Sequence, residues 1–137
     1  MATTNRAITN PAMMNAFNAA VEEYRRAYPN HEVTVLATHR PPTEQHHLYK
    51  QGREWEGGAW VLMDPMKRMT DVDGLAKRGA INMIPSRGVD FVITMFGKVV
   101  WDATEYTPFG EILEKHGLWW GGRSNEFPDV DHCELRL

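Results

Sequence analysis

With a single cysteine, Cys133, the chain cannot form an internal disulfide, and that usage fits synthesis in a reducing compartment. No stretch approaches the ~18 apolar residues of a membrane span, so membrane insertion is not expected. The run from Met1 to Phe17 has no long apolar segment behind a basic start, and no signal peptide is expected. Strong charge of one sign is also absent. A formal net charge of −3 gives no reason to expect nucleic acid or an anionic membrane as a partner. There is no internal repeat and no low-complexity tract. Histidine is missing from one long stretch, with none between His47 and His116. What remains is a chain of 137 residues, sized for one domain over 1–137 with a single modest core. It is expected to be a monomer.

The elements can be read in order. Asn10-Pro11 is a helix N-cap followed by proline at the first helical position. Met14, Phe17, Val21, Tyr24 and Tyr28 then recur at intervals of three and four, an apolar stripe that ends at Pro29. The β-branched stretch from Glu32 to Arg40 predicts a strand, and Pro41 to Gly52 a short helix. Residues 55–80 show no sustained period and read as a long loop, of the kind that is usually functional or mobile. Within it, Asp71 to Gly74 starts like a calcium loop, but the twelfth position is Asn82 rather than glutamate, so it reads as a turn. Gly88 to Asp102 predicts a hairpin turning near Phe96-Gly97-Lys98. Thr107 to Gly117 predicts a helix with Thr107 as N-cap, and His132 to Leu137 a closing strand. The alternation predicts an α+β fold, a small antiparallel sheet with helices packed on one side.

Asp90 opens one predicted strand and His132 another, with Asp129 three residues earlier. A carboxylate and an imidazole on neighbouring strands supply two legs of a zinc site, which needs a third protein ligand and a water for catalysis. On spacing alone the pair reads as easily as ordinary polar residues at strand ends.

Three segments resemble, in order, the zinc peptidases that include D-alanyl-D-alanine carboxypeptidases and the L-alanyl-D-glutamate endopeptidases of phage endolysins. Thr38 to Glu54, "THRPPTEQHHLYKQGRE", is similar to the family's first motif. "GVDFVI" is similar to the strand carrying the aspartate ligand. Tyr106 to Leu135 is similar to the final helix, the Gly-Leu-x-Trp-Gly-Gly turn and the Asp-x-x-His-x-Glu-Leu ending. The resemblance implies one zinc ion, held by a histidine, an aspartate seven residues later and a distant histidine. The last two fall on Asp90 and His132. The first falls on Met83, whose thioether is a soft donor suited to copper(I) rather than zinc. Zinc is therefore expected to be weak or absent here, unless His39, His46 or His47 swings in.

The same resemblance implies Asp129 as the general base, with Asp131 its nearest competitor. It implies Arg40 as a catalytic residue that also binds substrate, Gln45 as its support, and Glu134 behind His132. Trp119 and Trp120 wall a cleft or pack in the core, with Trp120 the expected substrate contact. The implied function is zinc-assisted amide hydrolysis of the peptidoglycan stem peptide by a phage or prophage enzyme, acting from the host cytoplasm at lysis or carried in the virion. The alternative is an inactive member of the fold, kept as a cell-wall-binding or virion structural module.

Overall fold

The structure is a computed structural model that describes residues 9–70, 73–74, 79–125 and 128–136. Helix α1 (Pro11–Ala27) begins where expected. The Asn10 side chain accepts hydrogen bonds from the Ala12 and Met13 amides, which satisfies donors that the first turn leaves without partners. Strand β1 (His31–Ala37) and helix α2 (Pro42–Tyr49) follow. Strand β4 (Gly88–Met95) turns at Phe96-Gly97 into β5 (Lys98–Val99), the expected hairpin. Helix α3 (Thr107–Lys115) includes Thr107 rather than being capped by it. A preceding 3-10 turn, capped by the Asp102 carboxylate, supplies the entry instead.

The stretch read as a long loop is only partly so. Strands β2 (Arg53–Glu56) and β3 (Ala59–Leu62) form a separate antiparallel hairpin. They join through Gly57 and Gly58, both at positive φ, where glycine carries no steric cost. Asp71 and Val72, the start of the expected turn, lie outside the described residues. Gly74 has φ +82, as a turn requires.

The main sheet has five strands. Their order is β1-β4-β7-β6, where β6 is Trp119–Trp120 and β7 is His132–Glu134, and β5 pairs with β4. Strand alternation divides it into two faces. Val89, Phe91 and Ile93 of β4, with Cys133 of β7, are fully buried. They share a core with Met13, Phe17 and Tyr24 of α1 and Phe109 and Leu113 of α3. Phe91 and Phe109 meet edge to face, with ring centroids 5.1 Å apart, a favoured aromatic geometry. This is the α+β layering anticipated from the element order. The intervening residues, Gly88 and Asp90 on β4 and His132 and Glu134 on β7, face the other way.

Candidate functional site

The antiparallel register pairs Gly88 with Glu134, and Asp90 with His132. Residues directly opposite one another share a face, so one short ladder places a carboxylate, an imidazole and a second carboxylate side by side. His132 Nδ1 lies 2.7 Å from Asp90 Oδ1, and its Nε2 lies 3.0 Å from Glu134 Oε1. Both nitrogens carry protons when the ring is charged, so both donate. Arg40, which follows β1, completes the row, with Nη2 donating to Asp90 Oδ2 at 2.6 Å. The result is a continuous chain of ion pairs, Arg40–Asp90–His132–Glu134.

Buried polar groups hold the arginine in place. Its Nη1 donates to Gln45 Oε1 at 3.1 Å, and Gln45 Nε2 donates to Thr70 Oγ1 at 3.0 Å. Asn82 Nδ2 donates to the Arg40 carbonyl at 3.0 Å, and the Arg40 amide donates to the Ile81 carbonyl at 2.8 Å. Gln45 is thus a buried support behind Arg40. Asn82 is an anchor that the sequence reading missed, and an isolated amide in an irregular stretch gives no pattern to find it by.

Charge follows contact. Burial disfavours the His132 cation, but the hydrogen bonds to Asp90 and Glu134 overcome it and push the imidazole up to about 10. Burial likewise opposes ionised Asp90, yet His132 and Arg40 hold it below its ordinary value. Glu134 is also lowered against the cost of burial, by His132 and Arg136. Two cations therefore face two carboxylates. Asp129 stands beside this chain and is shifted in the opposite direction from Asp90 and Glu134. Burial and a hydrogen bond with Asp131 push it well above the usual carboxylate range, against the pull of His132.

Met83 does not join the cluster. Its sulfur lies 3.4 Å from Arg87 Nη2 on an exposed side chain. Ile81 packs against β4 at Gly88 instead. It is buried, and a Cβ added to Gly88 would come within 3.0 Å of its Cβ and 2.9 Å of its amide nitrogen. Gly88 and Asp90 share a face, so Ile81 covers the same face of β4 as the carboxylate. Met83 lies outside β4, which begins at Gly88, so strand alternation does not carry its side chain onto the Asp90 face.

Zinc does not fit this donor set. Both His132 nitrogens already serve carboxylates, and Arg40 is paired with Asp90. No group of three or more His, Cys, Asp or Glu among the described residues is placed to hold a metal. His46 Nδ1 donates to the Asp73 carbonyl at 3.0 Å, and His39 is buried with Nε2 lacking a partner. Trp120 is not a cleft wall either. It is 4 % exposed within the core, with its indole N–H donating to the Val130 carbonyl at 2.8 Å.

Among solved structures, this arrangement of elements recurs in a peptidase. The fold is similar to that of the L-Ala D-Glu endopeptidase ChiX from Serratia marcescens. The match covers 99% of this chain and 90% of that one, with a TM-score of 0.62 at 16% sequence identity. No family model matches the chain, and no curated protein matches it. The likeness is therefore one of fold.

Proposed function

We propose that this chain recognises the peptidoglycan stem peptide on a peptidase scaffold whose metal centre has given way to an ion-pair chain. One observation carries the reading, namely that Arg40, Asp90, His132 and Glu134 satisfy one another on the face where zinc ligands were expected. The likeness to an L-Ala D-Glu endopeptidase supports the choice of substrate class. Arg40 is the residue for ligand capture. Its guanidinium has five N–H donors in a planar fork, and the bonds to Gln45 and Asp90 leave others for a peptide carboxylate or carbonyl. Gln45 and Asn82 hold it in position beforehand, which reduces the ordering that binding must impose. In this reading the chain serves phage or prophage lysis, or the virion, as a cell-wall-binding module.

The second reading is a hydrolase with a weakly held zinc. It is favoured by the presence of Asp90, His132 and Asp129 together at one end of the sheet. One experiment separates the two. Stem-peptide binding is measured by calorimetry with added zinc and with a chelator, alongside peptide release from purified cell walls. The proposal expects binding that neither addition alters, and no release above background. Zinc-dependent, chelator-sensitive release would establish the hydrolase, and absence of peptide binding would end the proposal.

A further inference from the structure

We infer that the cleft between helix α2 and the β2–β3 hairpin is a saccharide subsite that accepts neutral N-acetylated hexosamine rings of the glycan strand. This rests on the peptidoglycan reading above and extends it to a second part of the polymer. The cleft is about 480 Å³, within the range of small-molecule sites, and is lined by His46, Tyr49, Trp55, Trp60 and Asp73. Trp55 and Trp60 face each other across the hairpin as a register pair, with ring centroids 5.6 Å apart at 67°. The His46 ring meets Trp60 edge-on at 6.2 Å. The two indoles and the imidazole thus stand at steep angles, giving apolar walls on more than one side. Trp55 is 60 % exposed, an unusual placement for so large an apolar surface unless something covers it.

Charge selects the occupant. Aromatic walls ordinarily attract cations, but here cations are already supplied. Lys50 Nζ sits 5.3 Å from the Trp60 ring centroid, and the Arg53 guanidinium 4.0 Å from that of Tyr49. A further ammonium would be repelled by both. Neither cation is a bare anion site, since the Arg53 guanidinium already donates to the Tyr49 and Thr70 carbonyls and Lys50 lies over an indole. A neutral ring with an apolar face and hydroxyls at its edge meets all of these constraints, because it can lie on an indole while its rim bonds to polar groups. The position suits a polymer as well. His46 of the cleft follows Gln45, the support of Arg40, on the same helix. Helix α2 thus contributes both to the support of Arg40 and to the wall of the cleft.

The test titrates tetra-N-acetylchitotetraose into the full chain, followed by calorimetry and tryptophan fluorescence. Saturable binding is expected. Trp55→Ala should weaken it about tenfold, or about 1.4 kcal/mol, while Trp101→Ala, which removes an exposed indole outside the cleft, should not. Trp55 is the better target, since loss of the less exposed Trp60 endangers the hairpin itself, and circular dichroism checks that the variant is folded. Absence of saturable binding by the parent overturns the subsite. So does undiminished binding by Trp55→Ala, or competition by tetramethylammonium. Titration of the glycan-free stem peptide into the parent keeps the two proposals apart. Peptide binding without sugar binding removes the subsite alone, and sugar binding without peptide binding removes the stem-peptide reading alone.

Discussion

Replacing Arg40 with alanine tests whether the ion-pair chain is the built state of this site. The substitution removes the donor 2.6 Å from Asp90 Oδ2 and the donor 3.1 Å from Gln45 Oε1. It leaves Asp90 with His132 alone and turns a balanced group of two cations and two carboxylates into one with excess negative charge. Breaking a buried pair by removing one partner costs about 3–5 kcal/mol. Arg40 and Asp90 side chains are 20% and 17% exposed, so water screens part of the loss and the low end, about 3 kcal/mol, applies. For a chain of this length, an unfolding entropy of about 2.1 cal/mol/K per residue converts that into a fall of about 10 °C in Tm. Differential scanning calorimetry at pH 7 measures it. Arg40→Ala combined with Asp90→Ala should be less damaging than the sum of the single changes, because the stranded carboxylate is gone. A drop below about 3 °C, or strict additivity, would refute the idea that Arg40 and Asp90 are coupled.

Zinc titration should separate Ile81→His from Met83→His. The first places an imidazole on the face shared with Asp90 and should gain measurable zinc binding, whereas the second places it beside Arg87 and should not. Stability should depend on pH in a definite direction. His132 is raised from 6.5 to about 10, so its contribution is complete below about 6.5 and is lost as pH climbs toward 10. Asp90 and Glu134 are lowered from 3.8 and 4.5, so theirs is present above those values and lost in acid. Chemical denaturation across this range should show a maximum in mildly acidic solution, and His132→Gln should flatten the alkaline limb. Gly110→Ala should destabilise by about 1–3 kcal/mol in the same assay, because the added methyl would collide with the indole of Trp120.

Much of this architecture was legible because local chemistry and global fold agree. Asn10-Pro11 caps α1, Gly97 turns the β4–β5 hairpin, and the alternation of Val89, Asp90 and Phe91 assigns one side to packing and the other to chemistry. Asp90 and His132 were singled out through the family resemblance rather than by spacing, and the β4–β7 register brings them together. Met83 precedes the regular part of β4, in a stretch where counting from Asp90 no longer tells which side chain faces inward, and its exposed sulfur sits beside Arg87. Arg40 was placed at the site, but its partner was not. A guanidinium–carboxylate contact across 50 residues leaves no trace in either local pattern. The β2–β3 hairpin did announce itself, in the Gly57-Gly58 pair between Trp55 and Trp60, but the charges and methionines around it obscured the alternation.

The two-faced construction of β7 has a practical consequence. Cys133 lies fully buried between His132 and Glu134, and burial raises its thiol well above its ordinary value. A thiol in that state is inert until the strand lifts away. As the chain has only one cysteine, the rate of its alkylation acts as a clock for opening of the strand that carries half the candidate site. A ligand that bridges Arg40 and its neighbours would slow that clock without touching the sulfur.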